Sequence, residues 1–174
     1  LAGSSGPYTL APAINPVGDF ADSSIFFADI AGLQSNTLYE YAVVTGTSAA
    51  PKLAGPFQFK TWPREGDGVA SAKFAVVSDT QDGLANRLKN ITQGVINNDC
   101  AGSAAQCAQS LAGFMVPGDL VGSGGTRSNW KEQFFGPLAA ITAYVPLIPS
   151  PGNHEYFGGE QASAGSEKSW AKTY

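Results

Sequence analysis

Residues able to do metal or proton chemistry stand in three polar clusters, each directly after a short apolar run. They are Ser78-Asp79-Thr80-Gln81, Pro117-Gly118-Asp119-Leu120 and Pro151-Gly152-Asn153-His154-Glu155. Two carboxylates, an amide oxygen and the single histidine of the chain make a set of hard oxygen donors plus an imidazole, which suits divalent Mn, Fe or Zn. Taken singly, each residue has a plainer explanation. A strand-end Asp often caps a helix, a Gly-Asp pair often makes a turn, and a lone His is usually just hydrogen-bonded. What the three clusters share is position, since in an open α/β sheet the carboxyl ends of parallel strands gather in one crevice.

The elements that must position them are legible as hydrophobic periodicity. Residues 73–77, 114–116 and 145–148 read as short strands, each running into one of the clusters. Between them, Leu84, Leu88, Ile91 and Val95 recur at helical spacing, predicting an amphipathic helix over residues 83–98. Trp130, Phe134, Leu138 and Ile141 mark a second helix, which Pro137 is expected to bend. Strands alternating with helices indicate an α/β layer. Residues before position 62 follow a different pattern: 24–30 alternate loosely, 37–44 put Tyr39, Tyr41 and Val43 on one face, and 56–61 carry Phe57 and Phe59. Short aromatic strands separated by Gly, Pro and Asn suggest part of a β-sandwich. The stretch Pro63-Arg64-Glu65-Gly66-Asp67-Gly68 lacks apolar periodicity and reads as an exposed connection. The expected division is therefore 1–62, a linker at 63–71, and 72–174.

Composition narrows the classes. Apolar residues make up 43% of the 174 positions and charged residues 14%, which is too apolar for a disordered chain. With a formal net charge of -4 and scattered basic residues, there is no cationic stripe for nucleic acid. No apolar run approaches the roughly 18 residues that cross a bilayer. The start at Leu1, with neither Met nor a leader, is expected of a mature or trimmed chain. Cys100 and Cys107 sit in a Gly/Ala/Ser/Gln stretch that can curl into a short loop, favouring a disulfide. Two buried thiols, or half a metal cluster, are the alternatives, the latter lacking neighbouring His or Cys. A disulfide implies an oxidising compartment, extracellular or periplasmic. Asn90-Ile91-Thr92 forms a glycosylation triplet, but on a probable helical stretch.

In order, Asp79, Gly118-Asp119 and Gly152-Asn153-His154-Glu155 are similar to the first three motifs of the calcineurin-like metallophosphoesterases. With the β-rich stretch ahead of them, the layout resembles the purple acid phosphatase branch. Residues 30–41 and 57–61 resemble the last strands of a fibronectin type III-like domain, in which the Leu and the first Tyr of that stretch would pin the crossover loop to the core. The implied fold is α/β, half of a four-layer α/β/β/α sandwich, preceded by part of an all-β fibronectin type III-like sandwich. The implied activity is metal-dependent hydrolysis of phosphate esters, monoesters or diesters, by a metal-bound hydroxide at two ions of Fe, Mn or Zn. On this resemblance Asp119 bridges both ions, Asp79 belongs to the first and Asn153 to the second. His154 is not a ligand but a donor to the departing or a phosphoryl oxygen.

Several positions depart from the family pattern or stand at its margin. Gln81 occupies a place where relatives carry His or Gly, and is assigned as a weak ligand or as the group orienting a bound water. Gly122 stands where the purple enzymes carry a ferric-iron tyrosine, so no such centre is expected. Glu155 is read as a supporting or surface group, and Trp130 and Tyr156 as packing residues that can also shape a pocket. The family closes its site with histidines from two later motifs, whereas His154 is the only histidine here. The resemblance thus implies that a carboxyl-terminal remainder, or another chain, completes the site and that these residues alone are an inactive fragment. The alternative is a secreted structural or adhesive protein that keeps the scaffold without catalysis; bound metal would separate the two.

Overall fold

The aromatic runs near the amino end meet as a hairpin. The computed structural model describes residues 9–15, 25–81 and 85–157. Strands β1 (Leu38–Thr47) and β2 (Ala50–Lys60) pair antiparallel, with Tyr39 opposite Phe59 and Tyr41 opposite Phe57. Ring centroids in these two pairs lie 5.8 and 5.4 Å apart, the cross-strand contact that stabilises a two-stranded ribbon. The ribbon is longer than the alternation at 37–44 and 56–61 predicts, because exposed residues 45–54 continue it by backbone pairing alone. The strand expected at 24–30 does not form. Ser24 lies outside the described residues, and only Phe27 makes a single bridge, to Ile14. Phe26 and Ile30 stay exposed at 63% and 51%, so the alternating face finds nothing to bury against. Among the described residues no second sheet faces the hairpin.

The hairpin is fastened to the rest by specific bonds. Tyr41 donates its hydroxyl hydrogen to Ala143 O at 2.8 Å, Phe57 meets Tyr144 edge-on at 5.8 Å, and Trp62 donates from Nε1 to Ala112 O at 2.6 Å. Residues 63–71 cross between the two parts fully exposed, turning where Asp67 accepts from Arg64 N–H.

Beyond the crossing, β3 (Phe74–Val76), β4 (Gly113–Pro117) and β5 (Leu147–Ser150) form a parallel sheet in the order β3-β4-β5. β5 begins two residues later than predicted. Val145 N–H is used to close the preceding helix on Ile141 O, and Pro149, lacking an N–H, is tolerated in this outer strand of the described sheet. Phe114 and Val116 point into the core, with Ala75, Val77 and Leu147 packed beside them. On the opposite face Phe74 and Val76 are exposed at 42% and 62%.

Helices cover the core face. In α1 (Ala85–Asp99) Leu88, Thr92 and Ile96 are buried. The predicted stripe is thus turned slightly: Val95 packs against the core and Ile91 is half-buried, while Leu84 lies outside the described residues. Thr92 can occupy the stripe because its hydroxyl donates to Leu88 O at 2.8 Å. A disulfide joins Cys100, just after α1, to Cys107 of α2 (Ala104–Ser110), both wholly buried. The last helical segment runs from α3 (Arg127–Asn129) through a π-helical stretch, Trp130–Phe135, into α4 (Gly136–Thr142). Trp130, Phe134, Leu138 and Ile141 are at most 4% exposed, as their spacing requires. Gly136 N–H reaches Lys131 O, five residues back. This π turn precedes Pro137 and takes up the disturbance a proline makes in a helix.

Candidate active site

Because β3, β4 and β5 are parallel neighbours, their carboxyl ends open side by side, and the turn carrying Asp119 lies between the turns carrying Asp79 and Asn153. Both aspartates leave their strands in the left-handed region, Asp79 at φ 55° and Asp119 at φ 50°. A non-glycine residue rarely adopts that conformation, although Asp does so more readily than most. Two glycines make the close approach possible. Gly118 has φ 97°, and a Cβ placed on it would sit 3.5 Å from Gly152 Cα. On Gly152 a Cβ would lie 2.5 Å from Asp119 N and 3.0 Å from its Cγ. At Gly152 no side chain fits against the Asp119 turn, whereas at Gly118 it is the positive φ that favours glycine.

The Asp119 carboxylate is held from both sides. Oδ1 accepts from His154 N–H at 3.2 Å, and Oδ2 accepts from Gln81 Nε2 at 3.1 Å. Asp79 N–H faces Gly118 O at 3.5 Å, and the Asp79 carboxylate accepts from the Ser78 hydroxyl. The structure thus brings Gln81, Asp119 and His154 into direct contact, with Asp79 joined through its backbone. Asn153 is exposed. His154 Nδ1 lies 2.9 Å from Gly122 O; a carbonyl only accepts, so Nδ1 carries the hydrogen and Nε2 is left for another partner. Phe157 packs on the ring at 4.6 Å between centroids.

Whether these residues suit a cation can be tested on the atoms left without partners. Thr80 Oγ1 and Gln81 Oε1 are buried and accept no hydrogen bond, and a buried orphan acceptor is costly unless something electropositive meets it. Gln81 turns its amide nitrogen to Asp119 and its unpartnered oxygen elsewhere. Carboxylates at 79 and 119 and amide oxygens at 81 and 153 are donor types that a divalent ion takes. Among the described residues no three His, Cys, Asp or Glu side chains cluster so as to hold a metal ion.

For Glu155 the sequence left a supporting and a surface role open, and the structure takes the first. That residue is 0% exposed, and its carboxylate accepts from Leu120 and Val121 N–H at 2.7 and 3.0 Å and from Gly152 N–H at 2.6 Å. The available signal was its spacing from Gly152, three residues, at which a Glu side chain reaches back to a backbone N–H in a capping box. Trp130 donates from Nε1 to Gly124 O and is buried in the core, so it packs and does not line a pocket. Tyr156 is 45% exposed.

A parallel sheet whose strand-end turns present carboxylate and amide oxygens around a glycine pair is the framework of a metallophosphoesterase. The family model of the calcineurin-like phosphoesterases matches residues 72–174, and the chain belongs to that family. No curated protein matches it in sequence. Among solved structures it is similar to a purple acid phosphatase isolated from yellow lupin (Lupinus luteus) seeds, with a TM-score of 0.65 and 19% identity. The likeness, which is one of fold, covers 98% of this chain and 33% of that one, so the chain spans about a third of that protein's length.

Proposed function

We propose that the protein is a metal-dependent phosphoric ester hydrolase, a phosphatase or phosphodiesterase of the purple acid phosphatase-like branch, working with two metal ions. The observation that carries this reading is the meeting of the Gln81, Asp119 and His154 segments at adjacent strand ends beside an unpartnered buried oxygen. Asp119, in the central turn, would be shared between the ions; Asp79 and Gln81 would serve one and Asn153 the other. Bound cations supply Lewis acidity toward a phosphoryl oxygen and make water a competent nucleophile near neutral pH. His154, with Nδ1–H fixed on Gly122 O, would turn Nε2 to the departing oxygen and, in the form that carries a hydrogen on both ring nitrogens, give it that proton. Asp79, Gln81, Asp119 and Asn153 would supply part of the metal shell, and other groups would supply the rest.

The same reading assigns residues 1–62 to a fibronectin type III-like part joined at 63–71. It is supported by Gln34 N–H donating to the Tyr39 hydroxyl at 2.8 Å, which ties the loop before β1 to the strand as a tyrosine corner does. It also places the protein in an oxidising compartment, supported by the Cys100–Cys107 bridge. The test is hydrolysis of nitrophenyl phosphate by the full-length protein, with metal content measured in parallel. Asp119→Asn should abolish turnover and weaken retention of both ions; normal kinetics in that variant would contradict the assignment.

A further inference from the structure

The Glu155 carboxylate lies wholly buried between two ligand-bearing turns and makes no contact with the open crevice. Oε1 binds Leu120 and Val121 N–H, just after Asp119 in the turn following β4. Oε2 binds Gly152 N–H, just before Asn153 in the turn following β5. Around it the same two segments are zipped by backbone. Gly124 N–H donates to His154 O at 3.0 Å and Gly125 N–H to Phe157 O at 3.1 Å. A Cβ on Gly124 would overlap the Glu155 backbone. From the core side Trp130 holds Gly124 O, and Gln133 Oε1 accepts from Gly122 N–H at 2.7 Å.

We propose that Glu155 is a positioning residue, a buried clamp that fixes the turn bearing Asp119 against the turn bearing Asn153 and His154, so that the spacing of the ligand groups is set before any ion arrives. Without it three backbone donors from two segments would be buried and unpaired, and only water entry or separation of the turns would satisfy them. Glutamine cannot substitute. Its amide nitrogen would face either the Leu120 and Val121 donors or the Gly152 donor, so one end of the clamp is lost in either orientation. The consequence for metal rests on the hydrolase reading above; the clamp itself does not.

The experiment compares wild type and Glu155→Gln in the full-length protein by amide hydrogen exchange without metal, then by Mn²⁺ titration. In the variant the amides of Leu120 and Val121, or that of Gly152, should exchange at least about tenfold faster. Phe114 N–H, bonded to Pro146 O within the sheet, should keep its wild-type rate. Mn²⁺ affinity should fall by about 10- to 100-fold, as for loss of a group that orients ligands. Unchanged exchange at all three amides in a folded variant overturns the proposal, as does loosened exchange with unchanged Mn²⁺ affinity. Should the variant not fold, wild type alone decides, because unprotected Leu120, Val121 and Gly152 amides there refute the clamp. A wild type that binds no Mn²⁺ but shows the exchange pattern removes the hydrolase reading and leaves the clamp standing.

Discussion

Adding one methyl group at Gly152 is expected to disable the site more than the fold. The new Cβ would stand 2.5 Å from Asp119 N and 3.0 Å from Asp119 Cγ, and nearer still to Oδ1. Carbon normally rests about 3.5 to 4 Å from a non-bonded neighbour, so the two turns must part by roughly 1 Å. Most of the opposing atoms belong to backbone or to a carboxylate already bonded on both sides, and no flexible side-chain tip can yield. Overpacking of this kind costs about 1 to 3 kcal/mol, a loss of several degrees in Tm for a chain of this size. A displacement of about 1 Å between groups that must act together costs about a hundredfold in rate. Gly152→Ala should therefore lower kcat/KM on nitrophenyl phosphate by about that factor while remaining folded. Gly94→Ala is the control. Gly94 lies in α1, and a Cβ there meets nothing within 4 Å, so the change should stabilise by about 0.5 to 1 kcal/mol and leave turnover alone. Wild-type kcat/KM and Tm in Gly152→Ala would refute the idea that the glycine pair sets the approach of the turns.

His154→Ala should lower kcat by about 10²- to 10⁴-fold with metal content unchanged, because the ring is held by Gly122 O and Phe157 and is not assigned as a ligand; loss of metal would refute that role. Replacing Cys100 and Cys107 together by Ala should cost about 2 to 3 kcal/mol by the chain-entropy argument for so short a loop, read as a lower midpoint in urea. Burial raises the Tyr41 hydroxyl above its ordinary pKa, with Tyr144 adding to the effect. The fold therefore favours the protonated phenol, so this stability is fully present below the unfolded pKa of about 10 and is lost as pH rises through the higher folded value. Tyr41→Phe should lose about 0.5 to 1.5 kcal/mol at neutral pH with its bond to Ala143 O, and show less further loss in alkali; parallel curves would contradict it.

Periodicity carried the α/β layer because burial there is one-sided. The stripe Trp130, Phe134, Leu138 and Ile141 is buried as spaced, and each of the three predicted strands forms, since a parallel sheet covered by helices leaves an apolar signature. The amino-terminal part was read less well. Residues 45–54 join the hairpin through backbone hydrogen bonds, which leave no pattern of side-chain type, whereas the apolar residues at 24–30 suggested a strand that finds no partner surface among the described residues.

The site divides along the same line. That the segments bearing Asp79, Asp119 and His154 lie at adjacent strand ends was legible, because the end of a strand is a position that sequence can specify and parallel pairing does the gathering. Glu155 was not, because a carboxylate before Tyr156 looks the same whether it faces water or three amides. What decides is the depth of the turn, set by Gly124 and Gly152, where the chain segments approach too closely for any side chain. Closeness draws the two loops together and buries their N–H groups, and burial of donors creates the demand that a carboxylate answers. Glycines that pack backbone against backbone, with an acidic residue three positions on, thus point to a buried anion tying the turns.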